Sequence, residues 1–275
     1  MKFDKLRCGI TGHTGILGRE FIKRNYHFKF IKFNGDITKK KHIEKWLQNN
    51  SFDIILHLAA IVPTKLVNKK FDYANKVNYI GTKLLIDEII KNNNIKWFFY
   101  SSTSHVYKYS NRKISENGKI KPSSKYGLTK LRGERYIQKK LNKKISFCIG
   151  RIFSFTSINQ EKDYVIPSII NKAKNKKKKI FFENINHFRD FLSINDICNA
   201  IKVLIKNKST GIYNIGSGNK VLISDIIELI FTKYKKEYLI KNNLKQTCLI
   251  ANNSKIRKLN WYPTKNIEAI IKELF

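Results

Sequence analysis

Acidic residues are scarce in this 275-residue chain: 20 Asp and Glu stand against 55 Lys and Arg, a formal net charge of +35. Arginine is scarcer still. It supplies nine of the 55 basic residues, and the rest are Lys spread along the whole chain with 29 Asn and abundant Ile. The guanidinium is the group that bidentate phosphate and base recognition favours. Its shortage marks the charge as compositional drift, because net charge alone speaks to solubility and non-specific association. Nucleic acid is therefore not expected as a partner, and the Lys-rich run 174–179 reads as a solvated loop or helix end.

Cysteine is nearly absent as well. Cys8, Cys148, Cys198 and Cys248 lie far apart with no Cys-x-x-Cys pair, so neither a zinc site nor a thioredoxin-type motif is suggested, and the chain length excludes a disulfide-stapled miniprotein. They read as reduced and mostly buried. No sustained apolar stretch precedes Gly12 and no uncharged run reaches 18 residues, so neither a signal peptide nor a membrane span is expected. A cytoplasmic location without a membrane partner follows. What remains is ordinary: 42% hydrophobic and 27% charged residues, and a length suited to one large or two modest domains.

Strand-length apolar runs at 6–11, 28–33, 52–58, 96–101 and 145–149 alternate with amphipathic stretches at 15–23, 40–48, 78–90 and 126–140. This alternation predicts an α/β fold, a Rossmann-type doubly wound parallel sheet with helices on both faces. After Arg151 the pattern loosens into short strands at 188–194 and 211–215 and helices at 196–205 and 224–232. The expected division is residues 1–151 and a smaller mixed α/β region, 152–275, with part of 190–214 packing back on the first.

Glycine is rare, 13 residues in all, yet three fall at Gly12, Gly15 and Gly18 between the first strand and the helix that follows. Such a turn needs residues without Cβ where the backbone passes close to a pyrophosphate, and the helix N-terminus offers free N–H groups to it. The spacing is G-x-x-G-x-x-G. Tyr-x-x-x-Lys, which puts a phenol and an ammonium on one helix face, occurs four times: Tyr79/Lys83, Tyr109/Lys113, Tyr126/Lys130 and Tyr136/Lys140. A neighbouring cation lowers the phenol pKa and makes it a usable acid or base. Tyr126/Lys130 opens a helix 23 residues after Thr103, in a hydroxyl-rich stretch that ends a strand. Carboxyl ends of strands line the ligand crevice of such sheets, so this pair is selected and the other three read as surface helix faces.

The ordered set Thr11-Gly12-x-x-Gly15-x-x-Gly18, Gly35-Asp36-Ile37, His57-Leu58-Ala59-Ala60, Asn78-x-x-Gly81-Thr82, Ser101-Ser102-Thr103-x-x-Val106-Tyr107, Pro122-x-Ser124-x-Tyr126-Gly127-x-x-Lys130, Arg189-Asp190-Phe191 and Tyr213-Asn214-x-Gly216 resembles an extended short-chain dehydrogenase/reductase of the nucleotide-sugar epimerase, reductase and dehydratase group. The resemblance runs nearly end to end. It implies Tyr126 as general acid/base, Lys130 as its tuner and ribose ligand, and Thr103 as hydrogen-bond partner of the reacting oxygen. It implies Gly12, Thr14, Gly15, Ile16, Leu17, Gly18, Asp36, Ile37, Leu58, Ala59, Ala60 and Asn78 around NAD(H) or NADP(H). Ser104, His105 and Arg189 would meet a nucleotide-diphosphate sugar, Arg189 at the diphosphate. Family members often dimerise through a four-helix face, and a homodimer through the helices at 78–90 and 126–140 is expected.

Three departures narrow the activity. The family's 4,6-dehydratases carry an Asp-Glu pair after the catalytic threonine, where this chain has Ser104-His105, so dehydration is not expected. Only 18 residues separate Gly18 from Asp36, which resembles the dTDP-4-dehydrorhamnose reductase branch, and Lys32 stands where an acidic ribose ligand is usual. This leans toward NADPH through its 2′-phosphate. After Arg151, Phe153-Ser154-Phe155-Thr156 replaces the family's Asn-x-Tyr-Gly-Pro, and Lys108 replaces a Gly. The reading is reduction of a 4-keto nucleotide sugar, with 4-epimerisation on retained NAD as the alternative. From another class, the alternative is a non-catalytic NAD(P)-binding protein that binds RNA or a protein.

Overall fold

Strand β1 (Arg7–Thr11) runs straight into helix α1 (Ile16–Arg24) in the computed structural model, which describes residues 6–62, 64–91, 95–141, 144–175 and 179–275. The chain continues through β2 (Lys29–Lys32), α2 (Lys40–Gln48) and β3 (Ile54–His57) to two short helices, α3 (Thr64–Lys69) and α4 (Phe71–Asn75). A π-helical turn, Lys76–Gly81, leads into α5 (Thr82–Lys91), followed by β4 (Trp97–Thr103), α6 (Lys125–Leu141) and β5 (Ser146–Ile152). These strands and Gly211–Ile215 form one six-stranded sheet with β5, β4, β3, β1 and β2 adjacent in that order. The β1–β2, β1–β3, β3–β4 and β4–β5 pairings are all parallel. The expected doubly wound sheet is therefore present.

Its core follows from the pattern. Every residue of β3 is buried, as continuous apolar strands of parallel sheets are. Helix α2 turns Ile43, Trp46 and Leu47, at i, i+3 and i+4, inward onto Phe52, Ile55 and Phe98. Strand β4 changes character along its length. Trp97 to Tyr100 pack in the core, and Ser101-Ser102-Thr103 carry hydroxyls to its carboxyl end.

The chain forms two units: Met1–Lys108, Lys119–Ile152 and Cys198–Tyr213 make the first, and Tyr109–Gly118, Phe153–Ile197 and Asn214–Phe275 the second. The second has a three-stranded sheet (Val221–Leu222, His187–Arg189, Thr247–Leu249) and a parallel pair, Lys179–Glu183 with Glu237–Lys241. Ile166, Ile169, Phe182, Ile227 and Phe231 form its core. Residues 176–178 of the Lys run lie outside the described residues.

The single strand expected at 188–194 is two, His187–Arg189 and Phe191–Ser193, in different sheets. Asp190 makes the break: its fully buried carboxylate accepts the backbone N–H of Ser217 (2.7 Å), Gly218 (2.9 Å) and Ala251 (3.0 Å). The following helix starts at Ile194, two residues before the expected start. Ser193 caps it, accepting Asp196 N–H at 3.1 Å while donating to the Asp196 carboxylate at 2.8 Å. All four cysteines are buried and none is in a disulfide. No helix among the described residues is long and apolar enough to cross a membrane.

Asp190→Ala leaves three buried N–H groups without an acceptor, at about 1–3 kcal/mol each. Urea denaturation is expected to show a loss of about 3 kcal/mol or more, and an unchanged midpoint would refute this role for the carboxylate.

Candidate active site

The turn from β1 into α1 is built around its three glycines. Gly12 has φ +72°, and a Cβ there would stand 2.5 Å from Ala59 N. A Cβ on Gly18 would stand 2.3 Å from Gly12 O. At Gly15 the only atom that an added Cβ would meet is Gly12 O at 3.3 Å, so that side of the turn is open. Gly15 caps α1 without a side chain, and no acidic residue lies in the first turn. The helix thus presents uncompensated N–H groups and a positive dipole end to an open cradle, which fits a pyrophosphate.

Around it, Thr14 is exposed, Ile16 and Leu17 are half-buried, and Leu58, Ala59 and Ala60 follow β3, half-buried, with Leu58 N–H on Thr11 O at 3.2 Å. Lys32 ends β2, exposed. Its charge also reaches His13, which burial and Lys32 together hold below the usual imidazole range. Ile37 is buried against the position of Gly81. Asp36 is exposed, and its Oδ1 accepts from the Thr38 N–H and hydroxyl at 2.8 Å each, bonds that hold its pKa down.

At the carboxyl end of β4, helix α6 comes close enough that a Cβ on Gly127 would stand 2.1 Å from His105 O. That approach gathers the catalytic candidates. Ser124 starts the helix by accepting Gly127 N–H (3.0 Å), and its Oγ lies 2.9 Å from His105 Nδ1. His105 is set edge-on to Tyr126, ring centroids 6.0 Å apart, and its N–H donates to Thr103 Oγ1 at 3.2 Å. Lys130, 1% exposed, places Nζ 4.0 Å over the Tyr100 ring, a cation–π contact. Burial lowers its pKa to about 7 against the raising pull of Glu134. Among the described residues, neither the Thr103 hydroxyl hydrogen nor Lys130 Nζ has a hydrogen-bond acceptor.

Several residues that hold this arrangement escape a reading of the sequence. Glu134, one turn past Lys130 and fully buried, accepts from Arg151 Nη2 (2.7 Å) and Nε (3.0 Å) and from the Ser102 hydroxyl. Arg151 Nη1 also donates to Tyr107 Oη at 2.8 Å. The i+4 spacing from Lys130 is the one signal that could have found Glu134. Asn78, expected at the cofactor, uses both its N–H groups on Ile61 O (2.9 Å) and Thr129 Oγ1 (3.0 Å) and accepts Ile61 N–H at 2.7 Å. Arg189 lies in the second unit, its guanidinium on Phe188 O, Thr247 O and Thr247 Oγ1 and 5.6 Å from the Tyr109 ring centroid.

A phosphate cradle at the first strand–helix turn, with a Tyr–Lys helix and a hydroxyl at the end of the fourth strand, defines a dinucleotide-dependent enzyme class. A family model for the NAD dependent epimerase/dehydratase family matches residues 8–216, and the chain belongs to that family of NAD(P)-dependent oxidoreductases, epimerases and dehydratases. The dTDP-D-glucose 4,6-dehydratase of Dictyostelium discoideum is 27% identical over 242 residues, 82% of this chain and 54% of that protein, so this chain spans about half its length. GDP-6-deoxy-D-talose 4-dehydrogenase of Aggregatibacter actinomycetemcomitans is 26% identical over 286 residues, 97% and 96% of the two chains. Among solved structures, RMD from Pseudomonas aeruginosa complexed with NADPH has the same fold, with a TM-score of 0.89 at 19% identity over 98% of this chain and 97% of that one.

The buried lysine carries a pH signature. An unfolded Lys keeps its proton up to the ordinary value of 10.5, whereas folded Lys130 releases it near 7. Between those values the unfolded state binds more protons, so stability rises with pH; below about 7 the buried charge is a standing cost. Lys130→Met removes it. In cofactor-free protein the variant is expected to be more stable than the parent at pH 6, with the advantage shrinking toward pH 10 in thermal melts; a constant difference would show that Lys130 is not titrating in this window.

Proposed function

We propose that the protein reduces the 4-keto group of a nucleotide-activated sugar. The observation that carries this reading is the pair of unsatisfied donors, Thr103 Oγ–H and Lys130 Nζ, at the strand end where Tyr126 stands edge-on to His105. Thr103 donates to the keto oxygen and orients it. Tyr126 gives its phenolic proton to that oxygen as negative charge develops, and Lys130 stabilises the phenolate left behind and holds the nicotinamide ribose. A nicotinamide dinucleotide held in the cleft would supply the hydride that the sugar carbon takes up. The residues fit that cofactor through the uncapped α1 terminus and the open side of Gly15.

Ser104-His105 offer no carboxylate for dehydration. The near full-length similarity to a 4-dehydrogenase of a GDP-sugar supports chemistry at the 4-position. Lys32, exposed at the end of β2, supports NADPH over NADH. We further propose a homodimer through α5 and α6, where analytical ultracentrifugation at micromolar concentration is expected to show a species of twice the 32.3 kDa chain mass; a monomer alone would refute it.

The deciding experiment is to denature the purified protein, identify any released cofactor by mass spectrometry, and titrate the emptied protein with NADH and NADPH. An empty site that binds NADPH reversibly and more tightly is expected. Stoichiometric NAD retained through purification would point to 4-epimerisation instead, and binding of neither would end the enzymatic reading. Tyr126→Phe should lower turnover about 100-fold or more with NADPH affinity unchanged; full turnover in that variant would mean the wrong acid was chosen.

A further inference from the structure

His57 ends β3 fully buried, and both ring nitrogens are engaged: Nδ1 lies 2.6 Å from Thr11 Oγ1 and Nε2 2.8 Å from Thr82 Oγ1. The proton directions are determined. The Thr82 hydroxyl has one hydrogen, and it goes to Asn78 O at 2.7 Å. Thr82 Oγ1 therefore accepts from Nε2–H, and Nδ1 is left as a lone pair for the Thr11 hydroxyl hydrogen. Thr11 Oγ1 in turn accepts Ala59 N–H at 3.3 Å. The chain from Ala59 N–H through Thr11, His57 and Thr82 to Asn78 O runs one way and needs a neutral ring. Burial, with a smaller push from Lys130, keeps it neutral, at a pKa of about 3.

Both ends of this relay reach the site. Ala59 faces Gly12 so closely that no Cβ fits between them. Asn78 fastens Ile61, two residues beyond Ala59, and holds Thr129, the neighbour of Lys130 on α6.

We infer that His57 is a positioning residue: its two ring nitrogens lock the Ala59 wall of the dinucleotide cleft to the Asn78 turn that seats the Tyr126–Lys130 helix. The inference rests on the proposal that this cleft takes a nicotinamide dinucleotide. His57 touches neither cofactor nor substrate and acts through Thr11 and Thr82.

NADPH affinity, measured by calorimetric titration well below each variant's melting temperature, tests it. His57→Leu leaves the Thr11 hydroxyl hydrogen without an acceptor and removes the donor to Thr82 Oγ1, and should weaken NADPH binding about tenfold. His57→Asn, whose Oδ1 stands as far from the backbone as Nδ1, keeps the acceptor for Thr11 but not the Nε2–H for Thr82, and should recover part of the lost affinity, to a value between those of His57→Leu and the parent. A merely structural histidine would instead give both variants lower melting temperatures and parental affinity. Thr82→Val cuts the relay away from the cleft and should weaken NADPH binding likewise, with recovery in Thr82→Ser; this pair decides if His57→Leu does not fold. Parental affinity in His57→Leu and Thr82→Val, or no recovery in His57→Asn and Thr82→Ser, overturns the role of His57. Failure of the unaltered protein to bind NADPH or NADH overturns the functional proposal itself, a distinct result.

Discussion

Taking a carboxylate and a guanidinium out of water costs several kcal/mol per ion, and their attraction offsets this only when the remaining donors and acceptors are also satisfied. Glu134 and Arg151 meet that condition between three elements. Ser102 and Arg151 are cross-strand partners on β4 and β5, and both donate to the same carboxylate on α6. Tyr107 takes another guanidinium N–H, with its ring centroid 4.7 Å from the Arg151 carbon. Helix α6 is thereby fixed in rotation and height against the strand end that carries Thr103. With Glu134 pinned, Lys130 four residues before it and Tyr126 eight before it face the same end of the sheet.

The pair also sets the charge on Lys130. An unpaired buried carboxylate one turn away would hold the ammonium firmly protonated, but Arg151 already neutralises Glu134, so only a residual pull remains. Desolvation then prevails and brings Lys130 to about 7, with the Tyr100 face as its closest compensation. A lysine balanced in this way responds to whatever charge enters the cleft. Its position over Tyr100 depends in turn on β4, whose Tyr100 ring lies beside the His57 ring, 5.7 Å between centroids. The ion pair and the histidine relay thus brace the catalytic helix from two sides, Glu134 toward β5 and Asn78 toward the loop after β3.

Features carried by neighbours in sequence are legible without the structure. The turn at Gly12, Gly15 and Gly18 declares itself by its spacing between a strand and a helix, with local demands at Gly12 (φ +72°) and at Gly18 against Gly12 O, and α2 is readable at 40–48 because its apolar period is complete within nine residues. Tyr126/Lys130 is separable from three similar pairs only through the hydroxyl-rich strand end 23 residues earlier. Features made by distant partners are not legible. Asp190 breaks a strand because it meets Ala251 N–H, 61 residues away. Asn78 reads as a polar residue available to a ligand until Ile61 and Thr129 are found on its amide. Asp36 shows both kinds of information at once, a local turn with Thr38 and an exposed place after β2.

The distribution of lysine bears on whether the +35 charge was selected or tolerated. Among the described residues Lys130 is the only lysine buried below a tenth of its surface, and Arg151 the only arginine. Both are bound into the arrangement around Tyr126. The other lysines keep the ammonium in water at little energetic consequence, whereas an unpaired buried charge would be expensive. The buried acids among the described residues, Glu88, Glu134, Asp190 and Asp196, are each held by named hydrogen bonds that a lysine could not replace. A surface under selection for polyanions would concentrate arginine and leave the charge in one region. In this chain the described lysines other than Lys130 keep contact with solvent, over an interior whose few ions are held by the fold and the catalytic end of the sheet.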